Sequence, residues 1–554
     1  MGTRDRRDFL LQIGGLAGGS AAGRRSGPPL TSNPRASNAL LLRQTAAVLQ
    51  NQRPAESTTN NGDEELYPNK IASATKGLPH SQLGEVQLSA YQTLLTAIAS
   101  QKHSDAESII IGYGRKLVDL ESGFAYDLEG GDSHTFTSTP PPTFSSAQTG
   151  AEMIELYWQA LARDVPFAQW STDPTINSAA AEINTLTAYQ GPRDASGQVT
   201  AANVFRGTAP GCTVGPYISQ YLLQTINFGS TPMEQMYRTG MPGVNYMTAY
   251  PEWLLLTSGL PPYLTEEFDP TFRYVHTGRN LAQFVHYDYL FQAFLQAALI
   301  LGADYPETLL TPNVSQFSNT NPYKTSKVQT PWVSFGPALI QSWIGRVSTL
   351  ALRTVWHDKW AVHRRLRPEL FGGRVYNNLT GATSYPIHPS LLNSKALQNT
   401  AQTTGGLLPQ AYVEGCPLHP SYPAGHAVVA GACATLLKAL FEETDVVNNA
   451  VAPSADGLSL TPYTDTALTV GGELNKLAFN VPMARNWSGI HWRSDTDMSH
   501  IIGEQVTICF LQDQVNCFTE PFPGFSFTKF DGTSVSIVPG AGAYTGLNNL
   551  TPGN

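Results

Sequence analysis

Apolar residues in the longest patterned stretches of this chain recur three and four positions apart, and few segments alternate them two apart. That periodicity commits the fold to helices packed through one face. The pattern begins near Leu83 in SQLGEVQLSAYQTLLTAIAS and returns in AEMIELYWQALARDV from Ala151. In NLAQFVHYDYLFQAFLQAALILG, from Asn280, it is so nearly apolar all round that it predicts one long helix buried on most sides. Between these runs lie STPPPTFSSAQTG and GTAPGCTVGPY, and the 48 glycines and 39 prolines of the chain predict many turns and long irregular connections. Neither a repeat nor a clean linker divides the sequence. The expected architecture is all-α: one large helical domain over 81–554, with long decorating loops. Residues 1–80 are expected to be an export signal and an extended arm, because 22–80 are polar and turn-rich, with NQRPAESTTNNGDEE at their centre.

Charge and cysteine usage narrow the function. With 34 Lys and Arg against 43 Asp and Glu the formal net charge is -9, a poor balance for non-specific nucleic-acid binding, so no nucleic-acid partner is expected. The five cysteines have no zinc-site spacing and are too few for a disulfide framework, although one bridge, within or between subunits, stays open. The N-terminal TRDRRDFLLQIGGLAGGSAAG pairs Arg6 and Arg7 ahead of Phe9-Leu10-Leu11 and a weakly apolar stretch. It reads as a twin-arginine signal, hence a periplasmic or extracellular protein, or else as a disordered basic tail. No other stretch reaches 18 apolar residues, so no membrane association is expected of the mature chain.

Three segments within 337–514 carry the chemistry. The first, PALIQSWIGRVSTLALRTVWHDKWAVHRRLRP from Pro337, predicts a helix that stops before Pro368. Its Lys359 and Arg367 stand eight apart, about 12 Å along a helix and roughly 80° around it, so both flank one anion only if the last turn bends. The alternative is a solvated basic helix end favoured by the dipole. Trp356, Trp360 and Leu366 interleave with these charges and favour partly buried cations. The second segment, EGCPLHPSYPAGHAVVAGACATLLKALFEE from Glu414, sets Pro423 and Gly425 at the mouth of an apolar helix starting near Ala424. Unpaired N–H groups and the helix dipole make that mouth an anion seat, with His426 in its first turn either catalytic or a structural hydrogen bonder. The third, FNVPMARNWSGIHWRSDTDMSHIIGEQVTICFLQD from Phe479, places Arg485 six before His491, with Gly489 to turn the chain between them. Asp495, four after His491, is placed to hold that ring's second nitrogen. Lys359, Arg367 and Arg485 with His426 and His491 describe a pocket for a tetrahedral or trigonal oxyanion, since three cations need a bound counter-charge.

These blocks resemble the signature shared by vanadium-dependent haloperoxidases and type 2 phosphatidic acid phosphatases. The eight-residue Lys-to-Arg spacing, HPSYPxGHA and ARNWSGIHWRSD look most like the algal and cyanobacterial bromoperoxidases. The resemblance implies an all-helical fold of two four-helix bundles and a vanadate cofactor. His491 would bond vanadium, and Lys359, Arg367, Arg485 and the Gly425 N–H would hold the equatorial oxygens. His426 would be the acid–base group, His419 a second pocket-edge histidine, Trp356 part of the halide side, and Asp495 the support that orients His491. The implied reaction is oxidation of bromide or iodide by hydrogen peroxide to hypohalous acid, which halogenates small organic nucleophiles. The implied assembly is a homo-oligomer, a dimer or dodecamer. One position departs from the family pattern: Ala424 stands where a serine is expected, removing one hydroxyl donor worth roughly 1.5–3 kcal/mol at most. Some relatives carry a structural calcium, but SNTNPYKTSKVQ lacks their aspartates, so calcium is not expected here. Two other readings share the pocket: an acid phosphatase using a phosphohistidine at His491, and a non-enzymatic oxyanion binder.

Overall fold

The structure is a computed structural model that describes residues 34–53, 59–136, 138–302 and 316–540. The chain forms two units, Met1–Ala47 and Val48–Asn554. The expected export signal lies outside the described residues. In the first unit residues 34–47 are helical, where an irregular arm was expected; Ala, Leu, Gln and Arg there are strong helix formers.

The helices of the second unit that frame the site are α1 (Leu88–Ser100), α2 (Ala147–Ala162), α3 (Pro174–Asn184), α4 (Gly278–Phe284), α5 (Gln292–Leu301), α6 (Pro337–His357), α7 (Pro368–Leu379), α8 (Lys395–Thr404), α9 (Gly425–Leu440), α10 (Val470–Trp487) and α11 (Arg493–Gln514). Helices α6, α9, α10 and α11 form a four-helix bundle with α9 at its centre, touching the other three. The sequence of α9 explains its place: apart from His426, every residue of GHAVVAGACATLLKAL is buried, and many are small enough for close helix approach. A Cβ on Gly431 would stand 2.5 Å from His500 O, and one on Gly503 would stand 2.2 Å from Val428 O. A second helical group gathers on α2, which packs against α3, α8 and α10. Among the described residues the strands are three antiparallel two-stranded ribbons on the connections, such as Phe525–Thr528 with Ser534–Ile537, where Phe525 pairs with Ile537. No described helix is long and apolar enough to cross a membrane.

Three local expectations are corrected. The run from Asn280 is two helices, α4 and α5, because the polar HYDY sequence breaks it over 285–291. The helix from Pro337 ends at His357, passes through one wide π turn (Asp358–His363) and reverses at Arg364, whose φ is 41°. The boundary placed near residue 80 also differs from the structure: Ile71, Ala72 and Leu78 are buried. Ala74 N donates to Arg364 O (2.7 Å) and Leu366 N donates to Ala72 O (3.0 Å). Glu64 meets Arg364 at 2.7 Å and Lys76 meets Glu369 at 2.6 Å. This polar stretch is part of the packed unit because its charges are spent on buried partners and its few apolar residues join the core. Cys212, Cys416, Cys433 and Cys509 are free thiols, all of them buried.

Candidate active site

The reversal after α6 is what brings Lys359 and Arg367 together. Lys359 lies in the π turn and Arg367 caps the start of α7, so the two no longer share a helix. Lys359 Nζ is wholly buried and donates to Pro420 O (3.0 Å) and Ser421 O (2.8 Å) of the turn ahead of α9. Arg367 reaches the same turn, donating from Nε to His419 O (3.1 Å), and also donates from Nη1 to Ile490 O (2.9 Å). Burial pushes Lys359 well below the usual lysine range, and Arg367 adds to that. Burial likewise brings Arg367 down to about 10. Among the described residues neither cation is in direct contact with a carboxylate; Asp495 acts on both only from a distance, so their counter-charge is incomplete.

His491 follows Gly489, whose φ of 89° turns the chain out of α10. Asp495 is the third residue of α11 rather than one turn along a helix from His491, and its Oδ2 accepts from Trp492 N (3.1 Å) as a helix cap does. The same oxygen accepts from His491 Nδ1 at 2.8 Å. Asp495 is also held by Arg365 (2.8 Å) and by the Ser421 hydroxyl. Burial alone would raise its pKa; Arg365, and then His491, override this and hold it below the carboxylate range. Burial and then Arg367 keep His491 well below its ordinary value, so the ring is neutral. With its proton on Nδ1, Nε2 carries the lone pair, and Arg367 Nη1 donates toward it at 2.9 Å.

Around this centre stand the remaining sequence candidates. Arg485, in the last turn of α10, donates from Nη1 to Val285 O (3.0 Å), while its buried Nε has no hydrogen-bond partner among the described residues. Ala424 precedes α9, and its N–H is taken by Ser499 Oγ (2.7 Å). Gly425 and the residues after it present first-turn N–H groups. A Cβ on Gly425 would meet the Trp356 ring at 3.4 Å, an ordinary packing distance, so that ring lies against the head of the helix. Trp356 also lies 4.9 Å from the His419 ring, centroid to centroid, and its buried Nε1 has no hydrogen-bond partner among the described residues. Burial first, then Arg367 and Lys359, lower His419 well below its ordinary value. His426 Nε2 donates to Asp288 Oδ1 at 3.0 Å; burial still lowers its pKa although Asp288 opposes this. Each candidate thus falls in one neighbourhood, with Arg485 aimed at its own supports and not at His491.

The sequence reading missed Asp288, Arg365, Ser421 and Tyr412. Asp288 was legible as a carboxylate interrupting an otherwise apolar run. Ser421 lies inside the recognised turn. Arg365 and Tyr412 carry no local signal, since each matters only through a partner far along the chain.

Comparison with known proteins agrees with this geometry. Residues 352–518 match the family model described as VCPO second helical-bundle domain. The vanadium-dependent bromoperoxidase of Ascophyllum nodosum is 34% identical over 538 residues, covering 92% of this chain and 93% of its own length. That of Corallina officinalis is 32% identical over 596 residues, covering 91% and 98%. A solved homohexameric structure, the second vanadate-dependent bromoperoxidase of A. nodosum, aligns with a TM-score of 0.85 at 28% identity, covering 97% of this chain and 95% of its own. Likeness at this level runs through nearly the whole of both chains as well as the three motif blocks, and the chain belongs to the vanadium-dependent bromoperoxidases.

Proposed function

We propose that this protein binds vanadate and oxidises bromide or iodide with hydrogen peroxide, releasing hypohalous acid that halogenates small organic nucleophiles. The observation that carries the reading is the neutral His491, its Nε2 lone pair set by Asp495, beside buried cations short of counter-charge. The residues fit the cofactor. Among the described residues Arg485 Nε is buried without a hydrogen-bond partner and Lys359 and Arg367 touch no carboxylate, while Asp495 is already committed to Arg365. His491 Nε2 would ligate vanadium, and Lys359, Arg367, Arg485 and the Gly425 N–H would surround its oxygens. Bound vanadate supplies Lewis-acid activation of peroxide without changing its own oxidation state.

The protein's own share of the chemistry is proton handling and orientation. His426 donates from Nε2 to Asp288, which leaves Nδ1 to take a proton from incoming peroxide and return it later. Its lowered pKa keeps that lone pair available at neutral pH. Lys359 and Arg367 are fixed by backbone carbonyls, so they stabilise developing negative charge without rearranging. Trp356 and His419 wall one side of the pocket, where we assign the halide. The relatives do not favour the phosphohistidine alternative. Export and homo-oligomeric assembly belong to the same proposal; the solved relative is a homohexamer, which is neither the dimer nor the dodecamer expected from resemblance.

The test is bromination of a phenol dye by the vanadate-free protein before and after adding orthovanadate. We expect activity to appear with vanadate, to fade with excess phosphate and to exceed phosphate-ester hydrolysis. His491→Ala should lose vanadium on dialysis, whereas His426→Ala should keep it and lose turnover. Hydrolysis outrunning bromination, or vanadium retained by His491→Ala, overturns the assignment.

A further inference from the structure

We propose that His286 is a positioning residue for this reaction: clamped as an imidazolium between Glu266 and Glu414, it pins the short segment that supports both Arg485 and His426. The proposal rests on the bromoperoxidase reading above. The break between α4 and α5 supplies both supports within four residues. Val285 O accepts from Arg485 Nη1 at 3.0 Å, and Asp288 Oδ1 accepts from His426 Nε2 at 3.0 Å. Between them the His286 side chain is only 8% exposed. Its Nε2 donates to Glu414 Oε1 at 2.7 Å, and its Nδ1 lies 3.3 Å from Glu266 Oε1 in an ion-pair contact that is not a well-directed hydrogen bond. Only the cation offers a proton on each nitrogen to the two carboxylates.

The clamp also reaches Arg485 by a second route. The His286 ring stacks on Tyr412 with centroids 3.7 Å apart and planes 7° from parallel. The Tyr412 hydroxyl donates to Ala282 O (2.6 Å) and stands 3.4 Å from Arg485 Nη1. His286 therefore ties together three loops, those carrying Glu266, Glu414 and itself.

The charges facing it favour the protonated ring. Glu266 and Glu414 touch it, Tyr287 donates to Glu266 Oε2 (2.6 Å), and Asp288 lies two residues on. The cations are one step removed: Lys76 and Arg115 reach the Glu414 carbonyl, Arg238 lies toward Tyr287, and Arg485 lies beyond Tyr412. Burial alone would lower the pKa of His286, but the two glutamates raise it above its ordinary value. Burial would raise Glu414, yet His286 brings it below its own. With a raised folded-state pKa, the clamp is complete below the unfolded imidazole value of about 6.5 and is lost as pH rises through the folded value.

The test uses the full chain as wild type, His286→Gln and Glu414→Gln. Two quantities are followed from about pH 6 to about pH 9, spanning the imidazole range: kcat for bromination of the vanadate-loaded enzyme, and the Tm of the vanadate-free protein. We expect His286→Gln to be about tenfold slower at the acid end. That deficit and the Tm gap should both shrink as pH rises, because the wild type loses the same clamp. Glu414→Gln should show the wild-type decline displaced to lower pH. A kcat deficit and Tm gap constant across pH, with a Glu414→Gln profile superposing on wild type, overturn the proposal. If His286→Gln does not fold, the Glu414→Gln profile decides alone by the same criterion. If the wild type gives no vanadate-dependent bromination, the bromoperoxidase reading falls, and the Tm gap still decides the clamp.

Discussion

His491 meets its ligand with one tautomer already chosen, because Asp495 accepts a hydrogen bond from Nδ1–H and is itself fixed by Arg365, Ser421 and the Trp492 backbone. Such support holds a metal-binding imidazole in place before the metal arrives. Ala424 is the residue where this chain gives up a contact its family pattern provides. Its methyl sits at the head of α9, next to the Gly425 N–H. Restoring a hydroxyl with Ala424→Ser should tighten vanadate binding about tenfold, near 1.4 kcal/mol. Equilibrium dialysis checks this, and unchanged affinity would mean that water already supplies the bond. Acid should act on the same pocket. His419, His426 and His491 all have folded-state pKa values below the ordinary value. The unfolded chain therefore binds protons near pH 6.5 that the folded chain refuses, and stability falls as pH drops below about 6.5. The Tm of the vanadate-free protein should decrease from neutral pH toward the carboxylate range, and the decrease should be smaller in His491→Ala.

At the scale of elements, two interruptions of helices do the positioning. The π turn and reversal after α6 aim Lys359 and Arg367 at one turn, and the break between α4 and α5 delivers Asp288. An unbroken helix through either stretch would carry those side chains away from the pocket. The platform for both is the contact of α9 with α11, where Gly431 and Gly503 let the backbones meet. A methyl group at Gly503 has backbone atoms on its path, so no side chain can yield to it. Gly503→Ala should cost about 1–3 kcal/mol by overpacking and shift the head of α9. Chemical denaturation should show the loss, together with weaker vanadate retention than in the wild type. Equal stability would mean that the two helices slide apart freely.

The whole molecule depends on its early polar stretch. Glu64, Lys76 and the backbone of Ala72 and Ala74 bind the segment that carries Arg364 to Glu369, within three residues of Arg367. Removing one partner of a buried pair costs about 3–5 kcal/mol, and deleting this stretch strips both glutamate-linked pairs at once. A chain starting at Val48 should fold and bind vanadate, whereas one starting at Ser81 should fail to fold, as judged by circular dichroism and size exclusion. Helical class, the three motif blocks and their convergence were legible because apolar period, turn residues and charged side chains at fixed spacing are local properties. The role of 63–80 was not, since a polar segment buried by distant partners looks like a solvated one. His286 was hidden for a related reason: its role appears only through Glu266 and Glu414, which lie far along the chain.

The pairing of Glu64 with Arg364 joins residues 300 apart. A ribosome releases the first of them long before it has made the second, so the segment that carries the pocket's cations stays without this partner contact until Arg364 has been made. The site is therefore completed late, because His491 is made later still than Arg364.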